Sequence, residues 1–241
     1  KDAPGAKDGD YDHNQCLQHF EEAFDETQEE REEAERDRDY YDNKQLTDSE
    51  LETLRKRGQP AVISNRIAPK IDALLGHEKR MRTDPRAYPR TPKHEKEAEA
   101  VTDAIRYVCD DNRFSRVRSS AAENLFIEGI GAATVTVKMV KDLPEIQITD
   151  VPWDRFYRDP HSRQRNFSDA NYLVTVLWMD EADALAQFPG KEDVVESCYA
   201  EGIHIGDTYD DRPKVKWSDR KRKRIRVLQH RWREKGQWMT A

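Results

Sequence analysis

The chain has 241 residues, of which 36% are apolar and 37% are charged, and its formal net charge is −7. A compact domain has about 45–50% apolar and about 25% charged residues, so this composition argues against a self-sufficient globular monomer. No apolar run approaches the ~20 residues that a membrane span needs, and three widely spaced cysteines argue against a disulfide framework or a thiolate zinc site. We therefore expect a soluble protein made in a cytoplasm, with free thiols, no cofactor and no membrane partner.

Residues 1–11 are predicted to be a flexible acidic tail. The spacing of Asp8, Asp10 and Asp12 imitates a calcium loop, but His13 replaces the required turn glycine and His19 the bidentate acid. We therefore predict no metal site in this segment.

A long helix is predicted from Asp12 to Asn43, because apolar residues recur there at three- and four-residue steps. This stripe is strong up to Thr27 and sparse beyond it, which is typical of a solvated arm or of a partner contact. A second, short helix should begin with the capping box formed by Thr47 and Glu50.

The segment Gly58–Gly76 combines a turn, a short apolar run and an amphipathic helix. Asn65 is predicted to accept hydrogen bonds from the first free N–H groups of that helix. Pro69 stands early in the helix, where the backbone N–H that proline lacks would have no intrahelical partner, so its absence costs least stability. One face of the helix is predicted to be buried, and it consists of Ile67, Ile71, Leu74 and Leu75.

Two more helices follow an extended proline-rich connector at residues 85–92. Each has one apolar face, made of Ala98, Val101, Ile105 and Val108 in the first and Phe114, Val117, Ala121 and Leu125 in the second. If Leu125 is buried, its replacement by alanine should cost ~2–5 kcal/mol. Gly129 and Gly131 then provide a sharp turn and close packing, not a phosphate loop, because nucleotide loops run from strand to helix.

The remainder of the chain alternates strands and helices. Strands are predicted at residues 134–140, 145–150, 172–178, 224–233 and 238–241, and helices at 180–188 and 192–200. The fold class is therefore α+β, with long helices and a small, mainly antiparallel sheet. We expect a helical region at 12–130 and a mixed region at 131–241 that is truncated at its C-terminus, because the return strand after residue 237 is short.

Two groups of residues are candidate contact sites. The aromatic residues Trp153, Phe156 and Tyr157, beside Pro152, indicate a structural corner or packing between subunits. The basic run consists of Arg220, Lys221, Arg222, Lys223, Arg224 and Arg226. It has three interpretations: a grip on DNA phosphates, a solvated strand edge, or pairing with the acidic helix of an adjacent subunit. Residues 1–60 carry about ten more acidic than basic groups, and residues 212–235 carry about ten more basic than acidic groups. This charge distribution suits pairing of the basic run with an acidic helix.

Catalytic chemistry has little support in this sequence. Asp142, Glu145 and Asp150 stand near paired strands as nuclease ligands do, but Gln147 replaces the lysine expected two positions after the glutamate. No phosphate-binding loop of the Gly-x-x-x-x-Gly-Lys-Ser/Thr type and no local Ser-His-Asp arrangement is present. The sequence thus predicts no enzyme, with a metal-dependent DNA nuclease and a DNA-binding adaptor using residues 220–226 as the alternatives.

Three segments together resemble portal proteins of short-tailed double-stranded DNA bacteriophages. Gly58–Gly76 is similar to the family's signature of Gln-Pro, then Asn, then an apolar helix. Residues 121–137 are similar to the family segment in which a helix passes through a glycine turn into a strand. Residues 146–159 are similar to the family segment of a strand, Val-Pro and an aromatic residue followed by Asp. Residues 160–163 and 172–178 continue the likeness, which covers about residues 12–240. The resemblance implies the N-terminal and wing part of a portal subunit, with its channel-lining and motor-docking elements in a missing C-terminal part.

The resemblance also implies a function and a set of partners. It implies a homo-oligomeric ring, usually of twelve copies, at one vertex of the virion, assembled in the host cytoplasm. Double-stranded DNA would enter through this ring, driven by terminase, and leave through it at ejection. The further partners implied are the major capsid and scaffolding proteins and the tail or head-completion proteins. Such a subunit has no catalytic residues of its own.

Overall fold

The computed structural model describes residues 13–140, 143–200, 218–219, 223–234 and 236–240, with backbone alone at 197–200 and 218–219. The predicted tail and its calcium-like spacing at residues 8–12 lie outside the described residues, as do Lys141, Asp142, Trp217, Arg220, Lys221 and Arg222. The chain forms two compact units. We call Gln28–Asp154 the helical unit, and Lys1–Thr27 together with Arg155–Ala241 the sheet unit.

The order of elements confirms the predicted α+β class. The helices are α1 (His13–Glu26), α2 (Gln28–Tyr41), α3 (Asp48–Lys56), α4 (Ala68–Arg80), α5 (Glu95–Asp111), α6 (Phe114–Ile127), α7 (Glu181–Gln187) and α8 (Glu192–Ala200), with 3-10 turns at Pro92–His94 and Trp153–Arg155. The strands are β1 (Ala132–Val140), β2 (Leu143–Val151), β3 (Phe156–Arg158), β4 (Tyr172–Asp180), β5 (Ser218–Asp219), β6 (Arg224–Glu234) and β7 (Gln237–Thr240). No helix within the described ranges is long and apolar enough to cross a membrane.

The sheet unit is built on five antiparallel strands. Their order is β3-β4-β6-β5, and β7 also pairs with β6. One face packs against α1 in a core of Phe20, Ala23, Tyr157, Tyr172, Val174 and Val176. The other face is covered at one end by α7 and α8, in a second cluster of Ala184, Val195 and Ile225. The sheet unit therefore buries apolar residues on both faces of its sheet.

The long helix predicted from Asp12 to Asn43 is divided at Thr27 into α1 and α2. Cys16, Phe20 and Ala23 form the buried stripe of α1 at helical spacing. The hydroxyl of Thr27 donates to the carbonyl oxygen of Ala23 at 2.6 Å. The prediction of one continuous helix is therefore wrong.

The helical unit confirms the predicted caps. Thr47 and Glu50 form the capping box that begins α3. Asn65 Oδ1 accepts hydrogen bonds from the backbone N–H groups of Ile67 (2.9 Å) and Ala68 (3.2 Å), and Pro69 lies in the first turn of α4. Local hydrogen-bonding chemistry was therefore readable from the sequence.

Several helical positions predicted to be buried are exposed. Leu125 is 51% exposed, so its assignment to the core is wrong. Four other apolar positions of the predicted buried faces are also exposed: Ile67, Leu74, Val101 and Ile105. Periodicity identified the apolar side of each helix correctly, but the described part of the chain does not cover these positions.

The glycine turn between α6 and β1 has the two roles predicted for it. Gly129 has a φ of +80°, a conformation that a side chain disfavours. At Gly131 an added Cβ would overlap the carbonyl oxygen of Ala121 and lie 3.0 Å from Cβ of Leu125. Gly131 therefore lets β1 start in direct contact with the backbone of α6.

Candidate functional site and assembly surfaces

The described part of the basic run does not form one continuous exposed stripe. Lys223 is exposed, and Arg224 Nε lies 2.7 Å from Oδ1 of Asp180 on the neighbouring strand. Arg226 points to the face that carries α1, with its guanidinium carbon 4.9 Å from the ring centre of Trp178 and 5.8 Å from that of Phe20. Because Arg226 is held between aromatic rings, it stabilises the sheet unit by cation–π attraction. The DNA and inter-subunit roles of the run stay predictions.

Two of the three predicted aromatic contact residues lie in the core of the sheet unit. Tyr157 is 3% exposed and its ring packs edge-on to that of Phe20, with 4.9 Å between the ring centres. Phe156, on the opposite face of β3, is 9% exposed and lies 5.3 Å from the ring of Phe167. Trp153 is half-buried in the helical unit. Phe156 and Tyr157 thus have little surface left for a second subunit, and the packing role of all three residues stays a prediction.

The loop between β3 and β4 is organised by two aspartates. Asp159 accepts hydrogen bonds from the backbone N–H groups of His161 (2.9 Å) and Asn171 (2.9 Å). Burial alone would raise the pKa of Asp159, but these hydrogen bonds outweigh burial and lower it. Asp169 accepts from the hydroxyl of Ser162 at 2.6 Å and the backbone of Arg163 at 2.7 Å, and these bonds lower its pKa to about 2. The loop is therefore a fixed part of the sheet unit.

A cluster of polar and aromatic side chains joins α1 to the sheet, and sequence reasoning missed it. His230 Nε2 lies 3.2 Å from His19 Nδ1, and His230 Nδ1 lies 3.1 Å from Cys16 Sγ. The His19 ring stacks on Tyr172 with 4.2 Å between ring centres, and the Tyr172 hydroxyl donates to Glu22 at 3.3 Å. We call Cys16, His19, Tyr172 and His230 the histidine cluster.

The histidine cluster is held in its neutral form by its surroundings. Burial, with a smaller effect from His19, lowers the pKa of His230 to about 4. Burial also lowers the pKa of His19, against the opposing charges of Glu22 and Asp159. His230 uses different ring nitrogens toward Cys16 and His19, so the groups form a chain of hydrogen bonds and do not converge as metal ligands would.

Helix α6 connects most of the helical unit through charged side chains. Glu78 on α4 accepts from Arg118 Nε at 2.7 Å and from Arg82 Nη2 at 3.1 Å, and these arginines lower its pKa even though burial opposes the shift. Arg38 on α2 donates to Glu128, just after α6, at 2.5 Å and to Glu123 at 3.0 Å. The helical unit thus depends on polar links around α6 more than on a large apolar core.

The β1–β2 hairpin has an exposed apolar face. The register pairs Val135 with Ile148 and Val137 with Ile146, so these side chains and Met139 share one face. Val135, Val137, Met139 and Ile146 are 63%, 65%, 66% and 43% exposed. We call these four residues the hairpin face. The alternation of apolar and polar residues in the sequence indicated that one face of this hairpin is apolar, but it did not indicate that this face stays uncovered.

The nuclease alternative loses its geometric basis in the hairpin. Glu145 and Asp150 are an odd number of residues apart on β2, so they lie on opposite faces of the hairpin. Asp150 instead accepts a hydrogen bond from Ser120 at 2.7 Å. Across the part of the chain that the structure describes, no three His, Cys, Asp or Glu side chains are placed to hold a metal ion together.

Comparison with known proteins gives two matches. A family model described as phage P22-like portal protein matches residues 17–237. The portal protein of Helicobacter pylori bacteriophage KHP30 is 24% identical over 150 residues, which are 62% of this chain and 25% of that protein. The match thus spans about a quarter of the length of that curated relative.

Proposed function

Because the chain belongs to the P22-like family of phage portal proteins, we propose that it is part of a subunit that forms an oligomeric ring at one capsid vertex. The ring would be a conduit for DNA during packaging and for the genome during ejection. The family match across residues 17–237 carries this proposal. The number of copies, which we put at twelve, and the short-tailed phage type belong to the proposal as well.

The distribution of apolar residues in the helical unit supports assembly with other surfaces. Its buried apolar residues are few and mostly small: Ala34, Val117, Ile127 and Val151. By contrast, among the residues that the structure describes, most of the exposed large apolar side chains lie between residues 40 and 146, in the same unit. Since large exposed apolar patches mark interaction sites, the helical unit is expected to be completed by a partner surface.

The charge distribution supports a geometric role over a tight grip on DNA. A conduit for a sliding polyanion should bind phosphate weakly, and a net charge of −7 suits that requirement. Arg224 is paired with Asp180, and Arg226 is held over aromatic rings. These contacts count against a DNA clamp, and for the basic run we keep the solvated strand edge and the contact with the acidic helix of an adjacent subunit as the proposed alternatives.

The partners and location that we propose follow from portal function. They are terminase, the major capsid and scaffolding proteins, the tail or head-completion proteins, and double-stranded DNA passing through the ring. The subunit would act in the virion at the portal vertex after assembly in the host cytoplasm. We also propose that it has no catalytic activity, and incubation of the purified subunit with plasmid and Mg²⁺ tests this. Cleavage that is lost in Glu145→Ala would contradict this proposal.

Imaging of the complete subunit tests the central proposal. Purified subunit is concentrated, applied to grids and viewed in negative stain, with mass photometry of the same sample. Rings with a central hole and a mass that is a whole multiple of the subunit are the expected result. Compact monomers alone, at the highest concentration reached, would refute the ring proposal.

A further inference from the structure

The histidine cluster is the polar part of the contact between α1 and the sheet. The apolar part places Phe20 and Ala23 of α1 in one core with residues of β3 and β4. His230 on β6 is 3% exposed, and its two ring nitrogens reach His19 and Cys16 of α1 at 3.2 and 3.1 Å. Because His230 uses both nitrogens toward α1, its protonation bears directly on how this helix is held.

The contact between the two histidines accommodates one proton. A neutral imidazole donates through one nitrogen and accepts through the other, so a single N–H between His19 Nδ1 and His230 Nε2 satisfies both rings. When both rings are charged, each of these nitrogens carries a proton, and two like charges face each other at 3.2 Å. The docked arrangement of α1 is therefore incompatible with two charged histidines.

The surroundings treat the two histidines differently. The carboxylates of Glu22 and Asp159 favour a proton on His19, although burial opposes it more strongly. Burial, and then His19, oppose a proton on His230. The titratable and charged groups that face the pair come from α1 (Cys16 and Glu22), from the loop before β4 (Asp159), from β4 (Tyr172) and from the same face of β6 (Arg226).

The sheet does not need α1 for its strand pairing. Each of the nine residues of β4 is paired with a residue of β6, and β3 and β7 extend the same sheet. The other face keeps its own apolar cluster beneath α7 and α8. Separation of α1 is thus a local opening, which costs less free energy than global unfolding. A helix of 14 residues is only marginally stable alone, so a separated α1 would also lose its internal hydrogen bonds.

We propose that the histidine cluster is a pH-sensitive switch, in which protonation of both histidines separates α1 from the sheet while the strands stay paired. This inference goes beyond the proposed function and does not depend on ring formation. Separation becomes more favourable as the pH falls from the pKa of an ordinary histidine, 6.5, toward the pKa of docked His230, about 4. From His230 alone, the equilibrium constant for separation should rise about thirtyfold between pH 8 and pH 5.

Amide hydrogen exchange of the complete subunit, followed by mass spectrometry at pH 8 and pH 5, tests the proposal in wild type. Each rate is compared with the intrinsic rate at the same pH, which gives a protection factor. The amides of α1 should lose protection by about thirtyfold or more at pH 5, and at both pH values they should be at least tenfold less protected than those of β4 and β6. Low urea should accelerate exchange in α1 less than in the strands, because separation exposes less surface.

Two histidine variants assign the effect. His230→Gln keeps a side chain that can donate and accept but does not titrate, and it should reduce the loss of α1 protection to a few-fold. His13→Gln changes an exposed histidine in the same helix and should keep the wild-type loss.

Three results would overturn the switch. They are equal protection of α1 and the strands at either pH, protection of α1 that does not change with pH, and a wild-type loss in His230→Gln. The first two are read from wild type, so they decide the question even if His230→Gln does not fold.

Discussion

The histidine cluster makes the sheet unit sensitive to acid. In the folded chain the pKa of His230 is about 4, against 6.5 for an ordinary histidine. The imidazole of His230 is therefore neutral in the folded chain at pH 5, while in the unfolded chain it binds a proton. The contribution of neutral His230 to stability is fully present above pH 6.5. It falls as the pH is lowered through the pKa of the unfolded chain, and it stops falling below the pKa of the folded chain.

The size of this effect follows from the two pKa values. Between pH 8 and pH 5 the difference in proton uptake lowers the free energy of unfolding by about 2 kcal/mol, and the full loss near pH 3 is about 3 kcal/mol. His19 adds to the loss, because its pKa is also lowered. Of the other groups around the cluster, the carboxylates Glu22 and Asp159 oppose the shift at His19, and Tyr172 stays protonated because burial raises its pKa.

Urea unfolding at a series of pH values measures this dependence. Tryptophan fluorescence is a suitable signal, because Trp232 stacks on His230 with 5.2 Å between ring centres. In His230→Leu the loss of stability between pH 8 and pH 5 should shrink by about 2 kcal/mol. His77→Gln, an exposed histidine in the helical unit, is the control and should retain the wild-type dependence. The same pH dependence in His230→Leu as in wild type would refute the assignment.

Three further predictions concern the helical unit. Gly131→Ala should lower the free energy of unfolding by on the order of 2–4 kcal/mol, because the added Cβ would overlap the backbone of α6. Gly129→Ala should lower it by only ~1–2 kcal/mol, because the backbone there has a positive φ. Equal losses of the two variants in chemical denaturation would contradict the packing role of Gly131. Leu125→Ala should lower the free energy of unfolding by no more than ~1 kcal/mol, because the side chain is half exposed, whereas Ile127→Ala, at 8% exposure, should lower it by ~2–5 kcal/mol. A lower urea midpoint for Leu125→Ala than for Ile127→Ala would restore Leu125 to the core. Asn65→Ala should cost ~1 kcal/mol through loss of the bonds that begin α4, and unchanged thermal unfolding would exclude this capping role.

The features predicted correctly from sequence are those whose cause is local. The capping box of Thr47 and Glu50, the bonds from Asn65 and the hairpin strands each depend on residues a few positions apart. The division of the first helix at Thr27 was missed. The apolar stripe is strong up to Thr27 and sparse beyond it, but a sparse stripe does not by itself end a helix.

Features that depend on distant pairing were not predictable. The His19–His230 contact joins residues 211 positions apart, and it exists because β6 lies beside β4 under α1. The inward orientation of Arg226 follows from the same register, which sets it opposite Trp178. A run of basic residues in a sequence indicates charge but not direction, because successive strand residues alternate between faces.

The errors at Leu125, at Val101 and at Ile105 have one physical origin. Periodicity identifies the apolar side of an element, and burial was then assumed to come from the same chain. The composition contradicts that assumption, because 36% apolar residues cannot cover the apolar sides of so many elements. The exposed sides are concentrated in the helical unit, while the sheet unit closes a core between α1 and its strands. In a chain of this composition, an amphipathic element is therefore evidence for a partner surface as much as for a core, and low apolar content together with strong periodicity indicates assembly.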